Sequence, residues 1–156
     1  MIRRAKKEDI DAIENLLKQV LDTHEKIRPD IFISDTTKYS KEELLVMIAN
    51  DEAPIFVYEK DKVVGYAFCV INKIHSQNLV KCLELYIDDI CVDEAYRNQN
   101  IGQELIAYVE TYAKEIGCDW ITLNVWAGNN AAYHFYEKNG FIERKTFMEK
   151  RIKEGE

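Results

Sequence analysis

The part of the sequence that most restricts the fold is an apolar strand followed by a polar loop and an amphipathic helix. The strand, Lys81–Val92, contains the run CLELYIDDICV, and the loop after it reads DEAYRNQN. From Gly102 to about Ile116, apolar residues then recur three and four positions apart, which is typical of a helix with one buried face. A further strand is predicted at Trp120–Trp126. A helix between two strands predicts a β-α-β crossover, in which the two strands run parallel.

The remaining segments predict an antiparallel meander and helices that cover it. Ser40 and Glu43 have the spacing of a capping box, Pro29 forbids a continuous helix through its own segment, and polar turns at 60–62 and 75–78 separate strands. The predicted elements are a strand Ile2–Arg4, a helix that opens at Lys7-Glu8-Asp9 and continues through Leu21, a helix Lys41–Ala49, strands Pro54–Tyr58 and Val63–Ile71, a helix Asn129–Lys138, and a last strand from Phe141 to about Ile152.

The resulting order, β-α-α-β-β-β-α-β-α-β, belongs to the α/β (α+β) class. We expect a mixed, mostly antiparallel central sheet of about six strands, with helices on both faces. The 156 residues contain no internal repeat and no linker, so a single domain over residues 1–156 is expected.

Charge and composition argue against several classes of protein. A net charge of −7 and a pI near 5.1 do not suit a general nucleic-acid-binding protein, which needs a basic face. No apolar run approaches the roughly 20 residues that span a bilayer. The charged start MIRRAKKEDI lacks the apolar core of a signal peptide, so a cytoplasmic protein without a membrane partner is expected. The cysteines and histidines have no metal-ligand spacing, so no metal is expected.

The stretch YRNQNIGQEL, residues 96–105, predicts an anion site. Its side chains leave the loop backbone open, Gly102 falls where the helix begins, and no acidic side chain appears before Glu104. Loop amides and the free amides of a first helical turn point the same way, and the helix dipole adds positive potential. The arrangement suits a phosphate or pyrophosphate, with an ordinary tight turn as the alternative.

A second pattern lies downstream, in NNAAYHFYEKNGF. Asn129, Ala132 and Tyr136 are spaced i, i+3 and i+7, so they share one face of a short helix. The alternative interpretation is an amphipathic helix that packs Tyr133, Phe135 and Tyr136 into the core.

Together the two patterns resemble the GNAT superfamily of N-acetyltransferases. RNQNIG is similar to that family's acyl-CoA pyrophosphate loop, R/Q-x-x-G-x-G/A, and NNAAYHFYEKNGF closely resembles its second signature, N-x-x-A-x-x-x-Y-E-K-x-G-F. The resemblance implies an acyltransferase that moves an acetyl group from acetyl-CoA to a primary amine of a small molecule or peptide by direct transfer. It also implies a set of cofactor-binding residues: Ile90, Cys91, Val92, Arg97, Asn98, Gln99, Asn100, Ile101, Gly102, Gln103, Asn129, Ala132 and Tyr136.

Within this set, the backbone of Ile90, Cys91 and Val92 is expected to pair with the pantetheine arm, which needs a local gap in the sheet. Asn100 departs from the family pattern, which has glycine at this position. Asparagine is among the residues that best tolerate left-handed backbone, and its amide would be able to cap the following helix.

The implied reaction needs a proton donor for the leaving thiolate and a base for the amine. Tyr136 is the candidate donor, because a phenol is mostly protonated at neutral pH. Related polyamine-type and histone-type enzymes carry an acid at the positions matching Asp88 and Glu84 respectively, which makes these two the candidate catalytic bases, with Asp88 preferred. Strand alternation places both on one face and Asp89 on the other, unless a bulge intervenes.

The acid-rich strand and the acidic chain suit a cationic acceptor such as a polyamine, an amino sugar or a lysine side chain. His24, Arg28 and Asp89 are the candidate substrate-binding residues, and Arg28 would equally suit a carboxylate-bearing amine. The resemblance is compatible with a homodimer. The alternative function is a non-catalytic acyl-CoA-binding or regulatory module of the same fold. A Rossmann-type protein would need a G-x-G-x-x-G string after an early strand, which the sequence lacks.

Overall fold

The computed structural model of the protein describes residues 1–154 and contains a five-stranded sheet in the order β1-β2-β3-β4-β5. Strands β1 to β4 pair antiparallel with one another, and β5 runs parallel to β4. The strands are β1 (Ile2–Arg4), β2 (Ile55–Glu59), β3 (Val63–Ser76), β4 (Leu79–Val92) and β5 (Trp120–Leu123), and the helices are α1 (Ile10–Ile27), α2 (Lys41–Ile48), α3 (Ile101–Glu115) and α4 (Asn130–Lys138). The predicted mixed, mostly antiparallel fold class is confirmed.

Local signals account for the bounds of the first two helices. A 3-10 turn at Lys7–Asp9 leads into α1, which ends before Pro29 because the residue preceding a proline disfavours helical backbone. The predicted capping box begins α2: Ser40 Oγ accepts the Glu43 N–H at 3.1 Å, and the Glu43 carboxylate accepts the Ser40 N–H at 3.2 Å. Within residues 1–154, no helix has both the length and the apolar character needed to cross a bilayer.

The sheet carries a hydrophobic cluster on each face, because successive strand side chains point in opposite directions. One cluster joins the sheet to α1 and α2 and includes Ile13, Leu16, Leu17, Leu44, Val57, Tyr66 and Phe68. The other joins the sheet to α3 and includes Phe56, Val64, Leu85, Ile87, Leu105, Ile106 and Val109. The sheet therefore lies between two layers of helices, and the ends of its strands position the connecting loops.

Strands β3 and β4 form a hairpin that is longer than predicted. The pairing continues to Ser76 and Leu79, so the turn is reduced to Gln77 and Asn78. Strand β5, in contrast, ends at Leu123, three residues earlier than predicted.

The predicted last strand, from Phe141 to about Ile152, is wrong, so the sheet has five strands instead of about six. Within the described chain, the backbone–backbone hydrogen bond of this segment joins the Phe141 N–H to the Tyr136 carbonyl at 3.0 Å. A strand needs a partner backbone, and no ladder connects this segment to β5, which forms the edge of the sheet. Strand-like residues are therefore present here without the pairing that would make them a strand.

Candidate active site

A β-bulge at Asp88 sets the geometry of the site. Phe68 of β3 pairs with Asp89 and Cys69 pairs with Ile87, so Asp88 is an extra residue with no partner on β3. A bulge shifts the alternation of side chains by one position. Asp88 and Asp89 therefore both face the layer formed by α1 and α2. Regular alternation would place Asp89 on the opposite face, and the bulge is the exception that the sequence analysis allowed.

Asp89 is half-buried, and its carboxyl group accepts a short hydrogen bond. Tyr66, whose side chain is fully buried, donates from Oη to Asp89 Oδ2 at 2.6 Å. Burial raises the pKa of Asp89 to about 6, although the Tyr66 hydrogen bond and the charge of Lys38 oppose this shift. A carboxyl group with this pKa gains and loses a proton close to neutral pH, as a general base must.

Asp88 is paired with two side chains of the loop between α1 and α2. Its Oδ1 lies 3.0 Å from Lys38 Nζ, and Tyr39 Oη donates to its Oδ2 at 2.6 Å. The Tyr39 ring stacks on Phe68 with a centroid distance of 5.7 Å, so the loop is attached to the sheet at the bulge. The Lys38 ammonium is half exposed, which demonstrates that the Asp88 carboxylate can hold a solvent-accessible cation.

Glu84 lies four residues before Asp88 on β4 and takes part in a different set of contacts. Arg144 Nη1 is 3.1 Å from Glu84 Oε1, and the Arg144 guanidinium stacks over the Trp120 ring at 4.9 Å. Trp120 is also the β5 partner of Glu84. The structure therefore separates Glu84 from Asp88 and Asp89, which it brings together.

The ring of Tyr136 packs beside Phe135 and Phe141, at centroid distances of 5.3 and 5.7 Å. Burial raises the pKa of Tyr136, and the nearby Asp89 and Cys91 raise it further, so the phenol remains protonated at neutral pH. No residue in the described part of the chain forms a hydrogen bond with its hydroxyl group. The structure thus places a protonated, unengaged hydroxyl near the carboxyl group of Asp89.

Strand β4 has an open edge beside these groups. Strand β5 pairs with β4 only between Glu84 and Ile87, whereas β4 continues to Val92. The expected gap in the sheet is therefore present along Ile90, Cys91 and Val92, where an extended chain could add through backbone hydrogen bonds. Cys91 offers only its backbone, because burial raises the pKa of its thiol to about 12.

The loop between β4 and α3 presents a row of unpaired backbone amides. Among the described residues, none accepts a hydrogen bond from the N–H groups of residues 98–103. Asn98 and Asn100 both have a φ of 64°, the left-handed conformation in which successive amides can converge on an anion. Because α3 begins at Ile101, its dipole adds positive potential at the same place. The row of amides beside the open edge of β4 fits a pyrophosphate followed by an extended arm.

Gly102 and Asn129 connect this loop to α4. A Cβ atom on Gly102 would lie 3.0 Å from Phe135 Cζ, so the glycine is needed for the close approach of the two helices. Asn129 is the N-cap of α4, and its Oδ1 accepts the Ala132 N–H at 3.3 Å. The helix that carries Tyr136 is therefore positioned by the packing of Phe135 against the first turn of α3 and by a capped start.

Two lysines of the turn between β2 and β3 lie beside the loop, and no sequence motif predicts this contact. Lys60 Nζ donates to Gln99 Oε1 at 2.7 Å, and Lys62 lies over the Tyr96 ring at 5.6 Å. Arg97 folds back, with Nε 3.4 Å from the Val92 carbonyl. Two basic side chains, Lys60 and Arg97, thus flank the amides, although Lys60 is more than thirty residues away in sequence and matches no motif.

Asn100 adopts the left-handed backbone expected of it, but its side chain makes no capping hydrogen bond, so the predicted cap is wrong. We therefore predict that Asn100→Gly keeps or tightens acetyl-CoA affinity, because glycine adopts this conformation without the strain of a Cβ atom. Asn100→Ala, the matched control, should weaken binding and lower the melting temperature. Calorimetric titration of both variants tests this prediction. A large loss of affinity in Asn100→Gly would show that the asparagine side chain itself contacts the cofactor.

Two of the three candidate acceptor-binding residues, His24 and Arg28, lie near the end of α1, whereas Asp89 is on β4. His24 packs against Phe32 and Trp126, at centroid distances of 5.1 and 6.4 Å, and burial and the charge of Lys38 lower its pKa. Arg28 is engaged by Asp30 at 2.8 Å and Glu149 at 2.6 Å. His24 thus lines an aromatic surface, whereas the Arg28 guanidinium already has two carboxylate partners. No group of three or more potential metal ligands occurs in residues 1–154.

Comparison with known proteins identifies the class to which this fold and site belong. The family model described as "Acetyltransferase (GNAT) family" matches residues 14–141, so the chain belongs to the GNAT acetyltransferase family. N-alpha-acetyltransferase 50 of Danio rerio is 32% identical over 145 residues, which cover 91% of this chain and 79% of that protein. The uncharacterized N-acetyltransferase YycN of Bacillus subtilis is 30% identical over 94 residues, which cover 60% of this chain and 56% of that protein. The chain spans about half the length of several of the curated relatives it matches.

Solved structures have the same architecture. A variant of the BH1408 protein of Bacillus halodurans superimposes with a TM-score of 0.93 at 26% identity, covering 97% of this chain and 99% of that one. An aminoglycoside N-acetyltransferase, AAC(6')-Iy, determined in complex with CoA, has a TM-score of 0.69 at 21% identity, again with coverage of 97% and 99%. This second likeness concerns the fold alone.

Proposed function

We propose that the protein is an N-acetyltransferase that moves an acetyl group from acetyl-CoA to a primary amine by direct transfer. The observation that carries the proposal is the row of unpaired amides at the start of α3, next to the open edge of β4. A helix N-terminus and left-handed loop amides bind phosphate groups well, and a strand edge binds an extended arm. Pyrophosphate and pantetheine are joined in this order in acetyl-CoA.

The residues that would hold acetyl-CoA form a continuous path. The amides of Arg97 to Gln103 would receive the pyrophosphate, with Lys60 and Arg97 as flanking charges. The backbone of Ile90–Val92 would pair with the pantetheine arm, and the α4 face carrying Asn129, Ala132 and Tyr136 would lie on its other side. When bound, acetyl-CoA supplies a thioester-activated acetyl group.

We assign the base role to Asp89 and a cation-binding role to Asp88. Burial raises the pKa of Asp89 to about 6, and Tyr66 is its side-chain hydrogen-bond partner, whereas both oxygens of Asp88 are paired with Lys38 and Tyr39. Glu84 is paired with Arg144, so its role in this proposal is structural. Asp89 accepts a proton from the acceptor ammonium, directly or through a water molecule, and the free amine becomes the nucleophile.

Tyr136 is the proposed acid. Its Oη keeps a proton at neutral pH and has no partner in the described part of the chain, so it is available to donate to the leaving sulfur. A donated proton would neutralise the thiolate, and a donated hydrogen bond would stabilise it. Asp89 would thus accept the proton of the attacking amine, and Tyr136 would donate a proton to the leaving sulfur.

The proposed acceptor is a cationic primary amine of a small molecule or a peptide. Asp88 already binds one ammonium group, that of Lys38, and the chain carries a net charge of −7. The names of relatives include N-alpha-acetyltransferases, which supports an amine as the acceptor. The aromatic surface of His24, Phe32 and Trp126 would contact the apolar part of such an acceptor.

Release of free thiol from acetyl-CoA, measured across a panel of polyamines, amino sugars and peptides, tests the function. The wild-type protein should release thiol with at least one cationic amine, and Asp22→Asn, on an exposed position of α1, should behave like wild type. If acetyl-CoA raises the melting temperature but no amine supports release, the non-catalytic binding module is the better description. If acetyl-CoA neither binds nor reacts, both assignments are wrong.

The Lys38 contact leads to a prediction about substrate affinity. Because the Lys38 ammonium competes with a cationic acceptor for Asp88, Lys38→Gln should lower KM for that acceptor. The decrease should be about two- to fivefold, because a partly exposed ion pair contributes little free energy. The turnover number should change little. Steady-state kinetics with the acceptor from the panel provide the measurement, with Lys18→Gln on α1 as the control. A higher KM in Lys38→Gln would mean that Lys38 helps to bind the acceptor.

A further inference from the structure

The ammonium group of Lys38 occupies the place that the proposed mechanism gives to the amine acceptor. Its Nζ lies 3.0 Å from Asp88 Oδ1, at the bulge where Asp88 and Asp89 face the same layer. Burial raises the pKa of Asp89 and lowers that of His24, and the charge of Lys38 lowers both pKa values, so the ammonium is near these two groups. A lysine side chain ends in a primary amine, the same chemical group that the proposed reaction acetylates.

The loop that carries Lys38 is attached to the sheet beside the proposed base. The Tyr39 ring stacks on Phe68, which is the β3 partner of Asp89, at a centroid distance of 5.7 Å. Between α1 and α2 the loop forms no helix or strand, and a lysine stem is a flexible chain of four carbons. The attached backbone therefore keeps Lys38 at the bulge, while its side chain can turn from Asp88 toward an acyl group.

The same bulge lies at the end of the proposed path for acetyl-CoA. Strand β5 pairs with β4 as far as Ile87, so the open edge that would receive the pantetheine arm begins at Asp88. Burial raises the pKa of Tyr136 and Asp89 raises it further, so the hydroxyl group proposed to protonate the leaving sulfur is near this carboxyl group. An acetyl group on that arm would therefore meet the Lys38 amine between the proposed base and the proposed acid.

We propose that Lys38 is an acetylation site of the protein's own reaction: without an external amine, its side chain accepts the acetyl group from acetyl-CoA bound to the same chain. This inference rests on the proposed function, because it uses the same base and the same acid. Holding the amine and the acyl group in one molecule converts a bimolecular step into an effectively unimolecular one.

The transfer exchanges one bond for another and needs no oxidant or reductant. The Lys38 nitrogen passes a proton to Asp89, and its lone pair forms a C–N bond to the acetyl carbonyl carbon while the C–S bond breaks. The electron pair of the C–S bond stays on the sulfur, which takes a proton from Tyr136. The nitrogen then loses a second proton, which restores the Tyr136 hydroxyl group, and Asp89 releases the first proton to water.

Acetylation would change the acceptor site as well as Lys38 itself. It removes the charge of the lysine and with it the ion pair to Asp88. The Asp88 carboxylate is then open to an external ammonium group. Lys38→Gln likewise places a neutral amide here, so the lower KM predicted for that variant is also expected of the acetylated protein.

Incubation of the protein with acetyl-CoA alone, followed by intact-protein and peptide mass spectrometry, tests the inference. Wild type should gain one acetyl group, located on Lys38, at a rate that does not change when the protein is diluted. Asp89→Asn and Tyr136→Phe should each slow this gain by about 100-fold. Lys41 is the matched control within the chain, because its Nζ also lies 3.0 Å from a carboxylate, that of Asp11, and its side chain is 54% exposed against 50% for Lys38. Lys41 should stay unmodified.

The outcomes separate the inference from the proposed function. Equal acetylation of Lys38 and Lys41, or an equal rate in Asp89→Asn, would be uncatalysed chemistry and would overturn the inference. A protein that acetylates an amine of the panel while Lys38 stays unmodified would overturn the inference and leave the proposed function in place. If neither Lys38 nor any amine is acetylated, the proposed function fails and the inference fails with it.

A second measurement, made without acetyl-CoA, tests the position of the ammonium group. Reductive methylation with isotope-labelled formaldehyde gives each lysine an NMR signal, and the Lys38 signal is assigned from its absence in Lys38→Arg. This signal should move as the pH passes through about 6, where Asp89 loses its proton, and the movement should be lost in Asp89→Asn. A signal that does not respond to Asp89 would place Lys38 away from the proposed base and overturn the inference.

Discussion

Asp89→Asn is expected to reduce the rate of acetyl transfer by about 100-fold or more, because positioned acid–base groups contribute at least this much. The same substitution is expected to make the protein more stable at neutral pH. The pKa of Asp89 is raised from 3.8 to about 6, so between these values the folded state binds more protons than the unfolded state. Stability therefore falls as the pH rises through this window. At pH 7 the ionised, half-buried carboxylate costs up to about 3 kcal/mol, since one pKa unit corresponds to about 1.4 kcal/mol.

Asparagine removes this charge and keeps an oxygen that accepts the Tyr66 hydrogen bond. Urea unfolding from pH 4 to 8 should accordingly show a gain in stability for Asp89→Asn that is largest above pH 6 and vanishes toward pH 4. In wild type, kcat/KM should rise with pH through an apparent pKa near 6. Asp22→Asn is again the control for both measurements. A variant that is destabilised at pH 7 would contradict the raised pKa of Asp89. A variant that transfers acetyl groups at the wild-type rate would remove Asp89 from the mechanism.

Tyr136→Phe should lower turnover by about 100-fold, again within the range of general acid–base effects, without unfolding the protein. The ring packs with Phe135 and Phe141, and phenylalanine preserves these contacts. The affinity for acetyl-CoA should change little, because the hydroxyl acts on the sulfur only as the sulfur leaves.

Tyr133→Phe is the matched control for this prediction, since Tyr133 is exposed on α4 and its hydroxyl group makes a 3.4 Å contact with Glu143. Single-turnover kinetics with a saturating amine separate the chemical step from binding and product release. Equal rates for Tyr136→Phe and wild type would exclude the hydroxyl as the donor.

Local signals in the sequence predicted most of the fold. The capping box of Ser40 and Glu43, the stop before Pro29 and the polar turn at 60–62 each depend on residues close together in the chain. The left-handed Asn100 was predictable for the same reason, because the tolerance of asparagine for this conformation is a property of the residue itself.

Features that depend on distant partners were not predictable. The bulge at Asp88 appears only when β4 is aligned with β3, and without it the sequence sets Asp89 on the wrong face. The approach of Lys60 to Gln99 follows from the sheet and not from any motif. The segment after Phe141 has the residues of a strand, but strand formation requires a partner that the sequence pattern does not supply.

The central claim, that the amides at the start of α3 bind the diphosphate of acetyl-CoA, is tested most directly by amide proton–nitrogen correlation spectra recorded during a titration with acetyl-CoA. The account predicts that the amide signals of residues 98–103 move the most and move downfield, because each N–H gains a charged acceptor. The signals of Gln77 and Asn78, at the far turn of the β3–β4 hairpin, should stay in place. Saturation with acetyl-CoA that leaves the signals of residues 98–103 unmoved would contradict the account.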